Sequence, residues 1–254
     1  MKTALITGAT SGIGREFALQ LSKMSYRLIL TGRRTQRLEE LEKELKTPVR
    51  IISADLEKEE DCYRLLESIK GEKIDIFINN AGFGACGSFL ETDLKKEISM
   101  IHVNDIAMHI LFKGVLQMMQ KRNDGRILNV ASSAGLLPGG PYMAGYYASK
   151  AYVTSLTRAV AAELSQMGSS VYVGALCPGP VNTEFNDKAD VVFALKGISP
   201  QKCVKEAILG IMNKKIIIVP SIRMKFAMFF QKIVPTNLLV KMTGHQQRKK
   251  FKSR

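Results

Sequence analysis

Thr7-Gly8-Ala9-Thr10-Ser11-Gly12-Ile13-Gly14, or TGATSGIG, packs three glycines into seven positions near the start of the chain. The apolar run Thr3 to Thr7 in front of it reads as a short buried strand that stops at Gly8. Behind it, Phe17, Leu19 and Leu21 share a stretch with Arg15, Glu16 and Gln20 that suits a helix packed on a sheet. Strand, glycine turn and helix N-terminus in that order aim free backbone N–H groups and the positive end of the helix dipole at one point. That point suits a phosphate, and the pattern suits the pyrophosphate of a dinucleotide. A tight turn with close helix packing would use the same glycines, so the rest of the chain has to decide.

Strand-like runs alternate with helical patterns along 254 residues. The expected strands are Thr3 to Thr7, Arg27 to Thr31, Arg50 to Ser53, Ile74 to Ile78, Arg126 to Val130, Val171 to Leu176 and Ile216 to Val219. The helices between them are expected at Gly12 to Met24, Thr35 to Leu45, Glu59 to Ile69, Leu94 to Met119, Gly145 to Met167 and Pro200 to Met212, the last with Ser199 as N-cap. Such alternation implies an α/β fold: a Rossmann-type, doubly wound, seven-stranded parallel sheet with helices on both faces. Ligands of such sheets bind beyond the C-terminal strand ends. Three of these ends carry small, polar and glycine residues: Asn79-Asn80-Ala81-Gly82, Ala131-Ser132-Ser133-Ala134-Gly135 and Cys177-Pro178-Gly179-Pro180-Val181-Asn182-Thr183. One shared site explains them better than three separate turns.

Together these elements resemble the short-chain dehydrogenases/reductases in their single-domain form. The resemblance rests on TGATSGIG, NNAG at Asn79 to Gly82, Asn104, Ser132, Tyr146-Tyr147-Ala148-Ser149-Lys150 and PGPVNT at Pro178 to Thr183. It covers residues 1–220, the expected dinucleotide-binding catalytic part, and leaves 221–254 as a C-terminal extension of the same domain that shapes the substrate pocket. It implies that Tyr146 is the catalytic acid/base, Lys150 its electrostatic partner, Ser132 the hydroxyl that orients a carbonyl, and Asn104 the holder of a proton-relay water. A phenol titrates near about 10 and needs a cation beside it to act as a base at neutral pH, and Lys150 lies one helical turn on. Tyr147 has Ala151 in that position. The family's usual serine-to-tyrosine spacing is met by Ser133 and exceeded by one at Ser132; Ser132 is preferred because Gly135 matches the glycine that follows the family's serine.

By the same resemblance Gly8, Ser11, Gly12, Ile13 and Gly14 hold the pyrophosphate side of the cofactor. Asp55 and Leu56 contact the adenine, Asn79, Ala81 and Gly82 border its ribose, and Pro178, Val181 and Thr183 hold the carboxamide end. Tyr146 and Lys150 also reach the cofactor. After the second strand an NAD enzyme would place a carboxylate on the ribose hydroxyls, but here stand Arg33 and Arg34. Arg33 can pair with a 2′-phosphate and Arg34 either assists or faces solvent, so NADP(H) is the expected cofactor.

Lys and Arg number 37 against 23 Asp and Glu, a net charge of +14, and no acidic residue follows Glu206. The basic end, His245 to Arg254, either seeks anionic lipid, nucleic acid or an acidic carrier, or is solvated and disordered. Nucleic acid is disfavoured, because Phe251 is the one aromatic there to stack on a base. Met224 to Met242 is amphipathic and basic, and three readings compete for it: a wall over an apolar pocket, a subunit interface or an interfacial helix on anionic lipid. Four scattered cysteines, and a seven-residue separation of His102 and His109 with no third ligand, point to neither a disulfide framework nor a metal site. The expected activity is NADPH-dependent reduction of a ketone in an apolar, lipid-like small molecule, carried out by a cytoplasmic homo-oligomer. The alternatives are NADP-dependent oxidation of a secondary alcohol, such as a hydroxysteroid, and a non-catalytic dinucleotide-binding regulator.

Overall fold

The computed structural model describes residues 1–184 and 197–251, so Lys252, Ser253 and Arg254 of the basic tail lie outside the described residues. The chain runs β1 (Thr3–Thr7), α1 (Gly12–Lys23), β2 (Arg27–Gly32), α2 (Thr35–Glu44), β3 (Val49–Ser53), α3 (Glu59–Ser68) and β4 (Ile76–Asn79). There follow α4 (Leu94–Ile101), α5 (Met108–Gln120), β5 (Arg126–Val130), α6 (Ala144–Gln166) and β6 (Tyr172–Leu176). Last come α7 (Pro200–Met212), β7 (Ile217–Ile218), α8 (Ile222–Phe230) and α9 (Thr236–Phe251). The strands form one seven-stranded sheet in the order β3-β2-β1-β4-β5-β6-β7, parallel at each pairing.

Alternation along each strand sends neighbouring side chains to opposite faces, and both faces are covered. Ala4 and Ile6 of β1 join Leu28 and Leu30 of β2 against Phe17 and Leu21 of α1 and Val204 and Ala207 of α7. Leu5, Ile29 and Phe77 point the other way, onto Leu65 of α3, Leu111 and Val115 of α5 and Val153 of α6. The apolar runs are continuous because both faces are buried. The strand order reverses between β1 and β4, and the site lies at their C-terminal ends.

One expected helix is corrected. The helix expected from Leu94 to Met119 contains a π-helical turn at His102–Ala107 between α4 and α5. Single wide turns of this kind are frequent at functional sites, and this one carries Asn104. The stretch Met224 to Met242 is broken into α8 and α9 by a 3₁₀ turn at Gln231–Ile233. Pro235 forces the break: its ring keeps Val234 extended, at ψ 133°, and it has no N–H to give a helix. The N-cap expected for α7 forms, with Ser199 accepting from the Lys202 N–H at 3.2 Å and Pro200 in the first turn. No helix among the described residues is long and apolar enough to cross a membrane.

Candidate active site

At the β1 end, Gly8 and Gly12 take φ of 64° and 58°, the left-handed region that glycine enters without strain. A Cβ on Gly8 would lie 2.9 Å from the Ala81 Cα, and one on Gly14 would lie 2.5 Å from the Asn80 amide nitrogen. The glycines therefore serve packing as well as approach: Gly14 sits behind the loop, while Gly8, Ser11, Gly12 and Ile13 line the cleft. Asn80 clamps the loop from β4. Its side chain donates to the Thr7 carbonyl at 2.9 Å, and its backbone N–H donates to the Thr7 hydroxyl at 2.9 Å. No acidic residue stands in the first turn of α1 to oppose an anion. The cradle fits a pyrophosphate.

Asn79 does not border this cleft. Its side chain turns into the core and donates to the Met108 carbonyl at 3.0 Å and to Asn129 at 3.2 Å, so Asn80, Ala81 and Gly82 form that wall. Asp55 and Leu56, after β3, line the cleft. The two arginines differ in a way the sequence left open. Arg33 is exposed at the rim, with loose pairs to Asp55 and Glu57 at 3.7 and 3.8 Å. Arg34 faces the loop rather than solvent, donating to the Thr10 hydroxyl at 2.7 Å and the Ser11 hydroxyl at 3.1 Å.

The cleft encloses about 450 Å³ and reaches from these arginines to Ser132, Tyr146 and Lys150. Ser132 follows β5 and caps a 3₁₀ turn, accepting from the Ala134 N–H at 3.1 Å. Its hydroxyl hydrogen-bonds with the Tyr146 phenol, which brings Ser132 rather than Ser133 to the tyrosine. Lys150, one turn along α6, puts its ammonium 5.9 Å from the Tyr146 ring centroid and donates to the Val130 carbonyl at 3.1 Å. Burial raises the phenol to about 12, partly offset by the Ser132 hydrogen bond. Burial lowers Lys150 to about 8, while the Asp105 carboxylate and the Cys177 thiol favour its charge. Asp105 itself is raised to about 6 by burial, against the pull of Lys150. At neutral pH the site thus holds a protonated phenol over an ammonium ion.

Asn104 is committed to protein partners. Its carbonyl accepts from the Phe83 N–H at 3.0 Å, and its amide donates to the Phe83 carbonyl at 2.9 Å and to the Ser149 hydroxyl at 3.1 Å. The side chain fixes the loop after β4, with both of its amide donors used. Pro178, Val181 and Thr183 line the end of the cleft beyond β6, with Thr183 against Gly12.

Over the tyrosine the walls are apolar: Ala85, Met100, Ala134 and Met143 pack with Tyr146 and Tyr147, and Phe83 joins them. Gln247 of α9 closes this side and donates to the Tyr147 hydroxyl at 3.0 Å. The basic end is therefore not solvated coil up to residue 251; it is a helix with a buried glutamine at the site. Asn80, Asp105 and Gln247 escaped sequence reasoning. Asn80 stood inside a motif already read, whereas nothing local marked Asp105 or Gln247.

The short chain dehydrogenase family model matches residues 2–191. The chain is 34% identical over 187 residues to the 3-oxoacyl-(acyl-carrier-protein) reductase FabG of Rickettsia bellii, spanning 74% of this chain and 76% of that one. It is 35% identical over 179 residues to the very-long-chain 3-oxoacyl-CoA reductase of Neurospora crassa, across 67% of this chain and 54% of that longer protein. The structure matches the short-chain dehydrogenase from Sphingobium yanoikuyae in complex with NADPH with a TM-score of 0.81, at 29% identity, covering 87% of this chain and 89% of that one. A glycine cradle at the sheet's switch point, a buried tyrosine over a lysine and a match across three quarters of the sequence have one explanation: this chain is an oxidoreductase of the short-chain dehydrogenase family.

Proposed function

We propose that the protein is an NADPH-dependent carbonyl reductase acting on a ketone in an apolar, lipid-like substrate. The supporting observation is the Tyr146 phenol, buried, paired with the Ser132 hydroxyl and lying over the Lys150 ammonium in the cleft that begins at the glycine loop. When bound, NADPH supplies the hydride that reduces the carbonyl carbon. Tyr146 donates its proton to the carbonyl oxygen, and Ser132 donates a hydrogen bond to the same oxygen. The Lys150 charge stabilises the phenolate left behind, and Asn104 keeps the Phe83 loop in place beside them. The apolar wall of Met143, Phe83 and Tyr147 supports a lipid-like substrate, as do two relatives named for 3-oxoacyl groups. Assembly as a cytoplasmic homo-oligomer belongs to the same reading, and light scattering measures it.

The first test follows NADPH absorbance with ketones, 3-oxoacyl thioesters, ketosteroids and short aldehydes. Turnover confined to apolar ketones supports the proposal; best kcat/KM on small polar ketones overturns the substrate class. Tight NADPH binding with no turnover across the panel favours the regulator.

Arg34 carries a second expectation. Its anchored guanidinium supports selection of the 2′-phosphate, and a hydrogen bond to a charged group contributes about 1.5–3 kcal/mol. Arg34→Ala should lower kcat/KM for NADPH about 10- to 100-fold and leave NADH within about twofold. Equal losses with both cofactors would assign Arg34 to holding the loop alone.

The pH dependence has a definite sign. Lys150 is charged below about 8 and loses its proton as pH rises through that value, while Tyr146 at about 12 stays protonated. Reduction should therefore hold steady around neutral pH and decline above about pH 8. A rate that climbs from pH 8 to 10 would remove Lys150's charge from the mechanism.

A further inference from the structure

The helix α8 has two faces of different kinds. Met224, Met228 and Gln231 recur at helical spacing and turn inward: Met224 packs on Gly179, and Gln231 donates to the Leu136 carbonyl at 3.0 Å. At about 100° per residue, Ile222, Phe226, Phe229, Phe230 and Ile233 fall on the opposite side. They are exposed there, Phe226 by 60%, Phe229 by 66%, Phe230 by 54% and Ile233 by 75%. Phe229 and Phe230 stack edge to face with centroids 5.6 Å apart, forming one aromatic ridge. Arg223 lies on one flank of the ridge and Lys225 and Lys232 on the other, all exposed. Glu206 fixes the helix from α7, accepting from the Ser221 N–H at 3.2 Å and pairing with Lys225 at 3.3 Å.

We infer that this face of α8 and the turn after it dock on an anionic lipid bilayer, with the aromatic ridge in the acyl boundary and the flanking cations at the headgroups. Long basic side chains beside an apolar stripe can cover lipid with their stems and keep their charges in the headgroup layer. The charge pattern argues against the other occupant of such a patch, a second copy of this chain. A two-fold contact sets the same surface against itself, and here that would bring Arg223 and Lys232 against their own copies, while Glu206 is already engaged by Lys225 and the Ser221 N–H. Bilayer phosphates supply the missing negative charge. The docking element is α8 with the turn after it. Because α9 follows directly and carries Gln247 into the cleft, the substrate side of the site lies on the element next to the membrane. The inference stands on the polarity of this surface and does not depend on the proposed reaction.

The test is co-sedimentation of the full chain with vesicles of equal parts phosphatidylglycerol and phosphatidylcholine, and with phosphatidylcholine alone, read without cofactor or substrate. Binding is expected on the anionic vesicles and weak on the neutral ones. The triple variant Phe226→Ser, Phe229→Ser, Phe230→Ser should bind the anionic vesicles at least about tenfold less, with an unchanged circular dichroism spectrum and melting temperature, since the rings are exposed. Wild-type binding retained by the triple variant would overturn the proposal, as would the absence of wild-type binding at low salt. A triple variant that turns an oligomer into a monomer, from a wild type that ignores vesicles, would show that the face is a subunit contact.

Discussion

Tyr146→Phe should reduce kcat/KM for ketone reduction by about 10²- to 10⁴-fold, the usual contribution of a positioned general acid. The substitution removes one oxygen and nothing else. The ring stays packed among Met143, Ala134 and Tyr147, and Lys150 keeps its bond to the Val130 carbonyl. Ser132 keeps the Ala134 N–H and loses its phenolic partner. Stability should change by less than about 1 kcal/mol, since the lost hydrogen bond is offset by a more apolar buried ring. NADPH affinity, read by fluorescence titration, should stay within about threefold of wild type. A variant that keeps a tenth of wild-type activity would show that the proton comes from elsewhere.

The second large effect is expected from a single methyl group. A Cβ on Gly135 would overlap the Lys150 carbonyl oxygen, lie 2.5 Å from the Lys150 carbonyl carbon and 2.6 Å from the Thr154 hydroxyl. Thr154 already donates to that carbonyl at 2.8 Å, so neither partner has room to yield. Overpacking costs about 1–3 kcal/mol where side chains can adjust, and the obstacle here is helix backbone, so Gly135→Ala belongs at the top of that range or above it. In a chain of this size, 3 kcal/mol corresponds to a melting temperature lower by about 6–12 °C. The same displacement moves α6, with Tyr146 and Lys150 on it, away from Ser132, so activity should fall even at temperatures where the variant is folded. Gly139→Ala is the control, because its Cβ would come no nearer than 3.8 Å to Val240. Equal melting temperatures for the two variants would mean that α6 yields more easily than its contacts imply.

The fold was legible because a parallel sheet buried on both faces writes itself as short apolar runs, and each of the seven runs became a strand at or within two residues of its expected limits. The glycine loop was legible because its constraint is local: positive φ and close approach fall on residues that stand together. Other features depended on distance. Whether Asn79 or Asn80 faces the cleft depends on where β4 ends in its pleat, and Asn79 proved to be the last residue of the strand, turned into the core. Arg34's orientation was left open because its partners, Thr10 and Ser11, lie on another element. Gln247 meets Tyr147 across 100 positions, and no periodicity along a helix encodes such a meeting. The wide turn at Asn104 was hidden for the opposite reason, since one extra residue in a turn hardly disturbs an apolar pattern 26 residues long.

The contact between Gln247 and Tyr147 divides responsibility along the chain. In the proposed mechanism, proton chemistry and nucleotide grip are assembled from residues 8–183, within reach of the family match, which ends at residue 191. On the proposed reading, the cover over the substrate comes from α9, whose Gln247 lines the cleft and which takes no part in building the sheet. Evolution can therefore rewrite what the enzyme accepts by exchanging that final stretch, leaving the reaction inherited intact. A protein engineer has the same handle: a library confined to α8 and α9 samples new substrates at little risk to the fold.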